Sequence, residues 1–223
     1  MVHELNRTPY PNLLGFVCLT AAIASLAGCG GKIRYPNYYV LNLPAPIAAA
    51  TQTKPHLGSV AVREFGAPAF LRTGPIVYRQ SAEQLDFYDY HRWAVDPRST
   101  VTSAMVHNMQ ARGIFQSVYL FDGRGPSDYL VTGTLEHLEE VDRGHDAFVE
   151  VRLSAQLMNL KTGDVLWRDT SSETTKLEHH AVKDVVTELS SAAENAVEHL
   201  VSSMQNHVVE SSASLGGREG GQQ

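Results

Sequence analysis

Three stretches in the carboxyl-terminal half alternate apolar and polar residues, and this alternation constrains the fold more than any other feature. The clearest stretch is Phe148 to Leu160, in which Val149, Val151 and Leu153 alternate with polar residues. Tyr129 to Glu140 precedes it and Val165 to Thr175 follows it, across short turns rich in Gly and Asp. Strands joined by such short turns pair with their neighbours in antiparallel order. The sequence therefore predicts a three-stranded meander with one buried side and one solvent-facing side.

Two helices are predicted from capping residues and helical periodicity. Asp96 can accept a free backbone N–H, and Pro97 suits the first helical position because its missing N–H would be unpaired anyway. Gly113 supplies a left-handed ending, so the first helix is expected over Pro97 to Arg112. Ala181 to Val208 carries one apolar stripe, which predicts a long helix packed on the sheet rather than a free interaction helix.

The amino-terminal half supplies the other predicted strands, which are Tyr38 to Leu43, Leu57 to Phe65, Pro75 to Arg79, Gln84 to Val95 and Ser117 to Phe121. The fold class that results is α+β, an antiparallel or mixed β-sheet with two main helices packed on one face. A single domain is expected over residues 38–208, and residues 209–223, rich in Ser, Gly and Gln, are expected to form a disordered tail.

The charge distribution excludes one class of partner. The chain has 18 Lys and Arg against 24 Asp and Glu, which gives a formal net charge of −6, and it has no run of basic residues. Binding to nucleic acid depends on clustered cations that neutralise phosphates. Nucleic acid is therefore not expected as a partner, and acidic molecules are not expected as substrates.

The amino terminus has the pattern of a secretory signal. Leu13 to Leu26 is an apolar run of 14 residues, which is too short to span a bilayer and follows a weakly positive segment. The run ends in Leu26-Ala27-Gly28-Cys29, which resembles the lipobox of bacterial lipoproteins. This pattern predicts a signal peptide over residues 1–28, a diacylglycerol thioether and an N-acyl chain on Cys29, and a lipidated tether over 29–37.

The location follows from the same pattern. Two or three acyl chains would hold the domain at a membrane that it does not span. By resemblance to other such lipoproteins, Gly30 after the cysteine favours the outer membrane, facing the periplasm, over the inner membrane. The alternative is a soluble secreted protein with a coincidental cysteine. Both cysteines of the chain, Cys18 and Cys29, lie in this region, so no disulfide is expected within the domain.

Motifs for enzymatic chemistry are weak throughout the sequence. It has no Gly-x-Ser-x-Gly elbow, Walker loop, His-Glu-x-x-His or Rossmann glycine series. Asp89, His91 and Ser99 could form a hydrolase triad, and His137 with Glu139 and His145 could hold a metal ion, but each set has a simpler explanation on a polar strand face or turn. We therefore expect a protein that is not an enzyme, with no cofactor and no metal.

One predicted strand is unusually rich in aromatic residues. A period of two over residues 85–95 would direct Phe87, Asp89, His91 and Trp93 to one face and Tyr88, Tyr90 and Arg92 to the other. Tyr, Trp and Arg dominate the energetics of protein interfaces. Tyr88, Tyr90, Arg92 and Trp93 are therefore the candidate partner-binding residues. The alternative is a sheet face that lies under a helix, with Trp93 in the core.

Several segments together carry a resemblance to a known family. They are Tyr38-Tyr39-Val40-Leu41, Arg79-Gln80-Ser81, Tyr90-His91-Arg92-Trp93-Ala94, Gly113-Ile114-Phe115, Tyr129-Leu130-Val131-Thr132-Gly133 and Thr162-Gly163-Asp164-Val165-Leu166-Trp167. In this order, and with the lipobox, the sequence resembles the ABC-type transport auxiliary lipoproteins (PqiC-like). The similarity runs from about Tyr38 to Leu200.

The resemblance implies an accessory role in transport. Such a lipoprotein would serve a mammalian-cell-entry (MCE) type ABC system that moves phospholipids or other hydrophobic molecules between the two membranes. It would dock an MCE-domain periplasmic protein and, through it, the inner-membrane ABC permease and ATPase. The alternatives are a periplasmic lipid-binding carrier, a lipoprotein of outer-membrane assembly or envelope maintenance, and a periplasmic hydrolase.

Overall fold

The structure, a computed structural model, describes residues 34–46, 57–72 and 74–219. From Pro36 onward these residues belong to one compact unit. Its strands are β1 (Asn37–Tyr39), β2 (Leu57–Val62), β3 (Pro75–Arg79), β4 (Leu85–Trp93), β5 (Phe115–Leu120), β6 (Tyr129–Arg143), β7 (Asp146–Asn159) and β8 (Val165–Lys176). Its helices are α1 (Pro97–Arg112) and α2 (Val182–Glu219).

The first helix begins and ends where its capping residues predict. The Asp96 carboxylate accepts a hydrogen bond from the backbone N–H of Arg98 at 2.9 Å, and Pro97 occupies the first turn. Gly113 ends the helix in the left-handed conformation, with φ 62°, and its N–H donates to the carbonyl of Gln110. A side chain at this φ would be strained, which explains why glycine stands there.

The predicted meander is present and forms the continuous part of the sheet. β6 pairs antiparallel with β7 along their whole length, from Tyr129 opposite Asn159 to Arg143 opposite Asp146. β7 pairs antiparallel with β8 in the same way. Gly144 and Gly163 occupy the two turns with positive φ, as tight hairpins require. Most apolar residues of these strands lie in the core, whereas Val165 and Leu166 at the beginning of β8 are exposed.

The edge of β6 opposite β7 pairs with two shorter groups of strands. One group pairs with the beginning of β6 and the other with its far part, so the sheet divides into two branches there. Val60 to Val62 of β2 run parallel to the beginning of β6, and β5 extends this branch, which we call the β2–β5 branch. Tyr78 and Arg79 of β3 run parallel to the far part of β6, and β4 and then β1 extend this second branch, the β3–β4–β1 branch. The sheet is therefore mixed.

Phe65 fills the point where the two branches separate. Its ring lies against Gly133 of β6, where an added Cβ would stand 2.5 Å from the ring and 2.7 Å from the carbonyl oxygen of Ser154. No side chain fits in that space, so glycine is required there for close packing. The backbone N–H of Phe65 donates to the hydroxyl of Thr102 on α1, which ties the junction to the helix layer.

Both helices cover the same face of the sheet, and the α+β class is confirmed. α2 packs against β6, β7 and β8, while α1 packs against β2, β5 and α2. The core between them is aliphatic and includes Met105, Leu135, Leu153, Leu189 and Leu200.

The long helix continues past its predicted end. The sequence interpretation ended it at Val208 and assigned residues 209–223 to a disordered tail, whereas α2 extends to Glu219. The physical reason lies in the residues that follow Val208. They include Ser, Ala and Leu but no proline, so nothing interrupts the helical hydrogen bonding before the first glycine, Gly216.

Candidate functional site

The aromatic strand β4 contains a bulge that its sequence does not predict. Its pairing with β3 moves from Pro75 opposite Arg92 to Val77 opposite Phe87, so five steps on β4 match two steps on β3. Such a bulge breaks the alternation of faces. The rings of Tyr88 and His91 consequently meet edge to face with centroids 5.8 Å apart. The predicted separation of these two residues onto opposite faces is wrong.

Tyr88 lies in a polar cluster rather than on an open surface. Its hydroxyl donates to the carboxylate of Glu140 at 2.5 Å, and its ring lies 5.0 Å from the ring of Tyr78. Burial, followed by the bond to Glu140, raises the pKa of Tyr88. Burial also raises the pKa of Glu140, although the Tyr88 hydroxyl and the nearby His180 oppose that change. Tyr88 therefore holds β4 to β6 across the intervening strand β3.

The other three candidate residues of β4 divide between core and surface. Trp93 is only 6% exposed, and its backbone N–H donates to the carbonyl of Gly74. This is the core position that the sequence left as the alternative. Tyr90 is 41% exposed, Phe87 is 36% exposed and Arg92 is partly exposed. We call Phe87, Tyr90 and Arg92 the β4 surface.

A second buried carboxylate joins the same branch to β6. Glu139 is fully buried, and both of its oxygens bind the guanidinium of Arg79 on β3, at 2.9 and 3.1 Å. Its Oε1 also lies 2.8 Å from Nδ1 of His137. A carboxylate occupied by a bidentate arginine has little capacity left for a metal ion. Among the residues that the structure describes, no group of His, Cys, Asp and Glu could hold one.

Sequence reasoning missed the importance of Glu139 and Glu140. The available signal was a pair of adjacent carboxylates between Leu138 and Val141, inside a strand that is otherwise half apolar. Adjacent strand residues point to opposite faces, so two acidic residues in a row require one partner on each side of the sheet. Arg79 and Tyr88 are those partners.

The residues of the possible hydrolase triad have separate partners. Nδ1 of His91 lies 2.9 Å from the hydroxyl of Tyr39, while the hydroxyl of Ser99 donates to Glu64 at 2.8 Å. Neither contact joins the histidine to the serine, so the geometry gives the triad no support. The metal-site residue His145 lies in the turn between β6 and β7, beyond the Arg79–Glu139–His137 group.

A different Ser–Asp–His group connects β8 to α2. The hydroxyl of Ser203 donates to Asp169 at 2.5 Å and accepts the indole N–H of Trp167 at 3.1 Å. His199 lies 3.6 Å from the same carboxylate. The hydroxyl proton is held by the carboxylate and not by the imidazole, so the arrangement does not activate the serine as a nucleophile. The bond from Ser203 is the main reason that the pKa of Asp169 is lowered.

Two clefts on the surface of the described residues are lined mainly by polar side chains. A cleft of about 560 Å³ between β8 and α2 is bordered by Trp167, Arg168, Asp169, His199 and Asn206, among others. A second, of about 300 Å³, opens on the face of the meander and is lined by Thr132, Ser154, Gln156 and Arg168, with smaller residues between them. Cavities that hold apolar ligands are lined predominantly by hydrophobic side chains.

The predicted lipidation site, Cys29, lies outside the described residues, as do the signal peptide and most of the tether. No helix in the described ranges has both the length and the hydrophobicity to cross a bilayer.

Comparison with known proteins adds a family and a fold. The sequence model of a family described as "ABC-type transport auxiliary lipoprotein component" matches residues 39–201. The crystal structure of protein XCC0632 from Xanthomonas campestris, of the DUF330 family, is similar with a TM-score of 0.66 and 16% identity, over 79% of this chain and 99% of that one. A second crystal structure, of an uncharacterized protein, is similar with a TM-score of 0.59 and 14% identity, over 77% of this chain and 99% of that one. No curated protein matches the sequence. At these identities the two structures show a shared fold alone.

Proposed function

The chain belongs to the family of ABC-type transport auxiliary lipoprotein components, and from this we propose that it is a periplasmic docking protein held at the outer membrane by lipid on Cys29. It would serve an MCE-type system that carries phospholipids or other hydrophobic molecules between the membranes. Its direct partner would be the MCE-domain protein, with the permease and the ATPase reached through that protein. It would not catalyse a reaction itself.

The observation that carries the docking role is the β4 surface. Its members, Phe87, Tyr90 and Arg92, lie on a strand that is fixed from behind by Trp93 in the core and by the Tyr88–Glu140 bond. Tyr and Arg provide large contact area and directional hydrogen bonds, which is why they are enriched among the residues that dominate binding. A surface built on a supported strand loses little conformational entropy when a partner binds.

Affinity for the partner tests this role directly. The double substitution Tyr90→Ala with Arg92→Ala should weaken binding of the purified MCE-domain protein from the same bacterium at least about tenfold, because it removes two exposed anchors. The matched control is Leu166→Ala with Arg124→Ala, which removes an exposed apolar residue and an exposed arginine far along the chain. Equal affinity for the two double variants and the original protein would contradict docking through the β4 surface.

The lipid anchor is tested at Cys29 itself. Cys29→Ser removes the thiol at the lipobox that can take the thioether-linked lipid, so the acyl mass should be lost from the protein and the signal peptide, whose cleavage follows acylation, should stay attached. Mass spectrometry of the amino-terminal peptide should show the diacylglycerol and N-acyl mass on the original protein. Separation of inner and outer membranes then tests the sorting expected from Gly30. An unmodified amino terminus would contradict the anchor.

The alternative of a lipid carrier is less favoured by the linings described above. The cleft between β8 and α2 has volume enough for part of an acyl chain, but Asp169, Arg168 and His199 border it. Native mass spectrometry of the protein purified from membranes distinguishes the two functions. A retained, non-covalent phospholipid would favour the carrier.

A further inference from the structure

The outer edge of β8 carries no strand in the part of the chain that the structure describes. On its inner edge, the backbone N–H of Leu177 donates to the carbonyl of Ala147, and β8 pairs with β7 in the same register along most of its length. In an antiparallel pair, every second residue bonds to the partner strand. The backbone N–H and C=O groups of Thr170, Ser172 and Thr174 therefore point away from β7.

The middle of this edge lacks the usual protection against association. Natural edge strands are commonly blocked by charged side chains, a proline or a bulge. β8 contains no proline, and its register shift against β7 lies near its beginning. Thr170, Ser172 and Thr174 are exposed and uncharged. The N–H of Thr170 is held by the Asp169 carboxylate at 2.8 Å, whereas an added strand can reach the backbone of the next two outward residues.

Two clefts border this strand on the side that α2 covers. The cleft of about 560 Å³ described above lies at the beginning of β8, where Asp169 lies near His199 of α2. A second cleft, of about 350 Å³, lies at the end of the strand, where Thr175 and Lys176 border it together with Glu188 of α2. Successive side chains of a strand point to opposite faces of the sheet. Every second side chain of a strand added here would therefore point toward this side.

The charged groups of the two clefts are mainly carboxylates. The carboxylates that border them are those of Asp169 and Glu210 at one end of β8 and Glu178, Asp184 and Glu188 at the other. The two permanent cations, Arg168 and Lys176, have partners elsewhere, since Arg168 donates to Gln156 on the opposite face and Lys176 binds Asp146 at 2.8 Å. The remaining titratable groups are the imidazoles of His179, His199 and His207. A basic ligand is therefore favoured here over an acidic one.

We infer that the β8 edge binds an extended, basic segment of a partner protein, which adds a strand to the sheet. Backbone hydrogen bonds to the outward groups of Ser172 and Thr174 provide the affinity. Lysine or arginine side chains at alternate positions of the segment lie over the clefts, where the carboxylates attract them and exclude acidic segments. The inference rests neither on docking through the β4 surface nor on the lipid at Cys29.

Synthetic peptides test the inference on the full acylated protein in a neutral detergent. A labelled peptide as long as β8 alternates lysine with threonine, and a second peptide has glutamate in place of lysine. Two further peptides keep the lysines but carry N-methyl groups on one or the other set of alternate residues, which removes backbone donors without changing the charge. Fluorescence anisotropy at about pH 8, where imidazoles are mostly neutral, measures affinity. The lysine peptide should bind, while the glutamate peptide and one of the two methylated peptides should not.

Two variants separate backbone pairing from charge. Ser172→Pro removes an outward N–H at an edge position where proline is tolerated, so it should weaken binding at least about tenfold, whereas Ser172→Ala should not. Glu188→Gln with Glu210→Gln should weaken binding about threefold to tenfold, because two carboxylates of the clefts lose their charge. Glu83→Gln with Glu194→Gln is the matched control, since both residues are exposed and border neither cleft.

Four results would overturn the inference. They are equal affinity of the Pro and Ala variants, equal affinity of both methylated peptides and the unmodified one, equal affinity of the glutamate peptide, and self-association that Ser172→Pro abolishes in a protein that binds no peptide. The last result would assign the edge to a second copy of this chain. The methylated peptides test backbone pairing even if Ser172→Pro does not fold. None of these measurements uses the MCE-domain protein, so their failure would leave the proposed function standing.

Discussion

The meander and the β3–β4–β1 branch join the same strand, β6, in different ways. β7 pairs with β6 along its full length, and the interior between them and α2 is aliphatic. β3 pairs with β6 at Tyr78 and Arg79, and two buried carboxylates, Glu139 and Glu140, complete the connection. Regular pairing and apolar burial maintain the first region, whereas the second combines the buried Ile76, Val77 and Trp93 with specific polar contacts to β6.

This difference predicts which of the two regions tolerates substitution. Apolar packing is non-directional and tolerates exchange of similar residues, whereas a buried carboxylate needs its particular partner. The branch that carries the β4 surface thus depends on a few directional bonds in addition to its apolar packing. Substitutions in the two regions should therefore differ in size, in pH dependence and in their effect on binding.

The largest effect is expected in the meander. Leu153→Ala removes a fully buried side chain on β7 and leaves a cavity between the sheet and α2, which should lower the free energy of unfolding by about 2–5 kcal/mol. Urea denaturation measures the change. Leu166→Ala, at an exposed position on β8, is the control and should change stability by less than about 0.5 kcal/mol. Similar losses for both would contradict the assignment of the core.

Removal of the buried carboxylate of the branch should cost less. Glu139→Ala leaves the Arg79 guanidinium without its bidentate partner, but 21% of that side chain remains exposed to water. The loss should therefore be about 2 kcal/mol, which is less than the roughly 3–5 kcal/mol expected when one partner of a fully buried pair is removed. Arg79→Ala should be at least as destabilising, because it strands the fully buried carboxylate. Urea denaturation of the two variants measures these losses. A negligible loss for both variants would mean that the Arg79–Glu139 pair does not stabilise the branch, which strand pairing would then maintain without it.

Two carboxyl groups should respond to pH with opposite signs. The raised pKa of Glu140 means that the folded protein binds its proton more tightly than the unfolded chain does. Its stabilising contribution is therefore present below its ordinary pKa of 4.5 and is lost as pH rises. The pKa of Asp169 is lowered, so its contribution is present above the ordinary 3.8 and is lost as pH falls.

Amide variants isolate each contribution to the pH dependence. Relative to the original protein, Glu140→Gln should gain stability as pH rises from about 3 to 7, whereas Asp169→Asn should lose it. Urea denaturation across that range measures both. If the two variants changed in the same direction, the contrast between the two regions would fail.

Substitutions in the β4 surface should have the smallest effect on stability and the largest effect on binding. Tyr90→Ala with Arg92→Ala should change the free energy of unfolding by less than about 1 kcal/mol, because both side chains keep access to water. Thermal unfolding should confirm this before any binding experiment. A loss comparable to that of Leu153→Ala would mean that the β4 surface is part of the folded core.

Much of the fold could be predicted from local signals. Asp96, Pro97 and Gly113 determine the bounds of α1 through their own backbone chemistry, and alternation with short turns determines the meander. The parallel pairing of β2 and β3 with β6 could not be predicted. It joins residues far apart in the chain, and no turn chemistry encodes it.

The candidate site was predictable only in part. Composition identified β4 as the aromatic strand, but the bulge between Phe87 and Arg92 depends on how β3 pairs with it. Alternation therefore assigned Tyr88 to the surface, whereas it binds Glu140 inside the branch. The family resemblance and the class of fold were confirmed. The anchor at Cys29 stays a prediction.

The fork at β6 has a consequence for the order of folding. In the sheet of the described residues, the two amino-terminal branches are joined through β6, which begins at Tyr129. A chain that emerges amino terminus first therefore lacks the strand that joins them until more than half of its length has passed. Loop-closure entropy delays these distant pairings further, while the meander can close locally. The amino-terminal half, which is synthesised first, can therefore complete its strand pairing only after the carboxyl-terminal half is available.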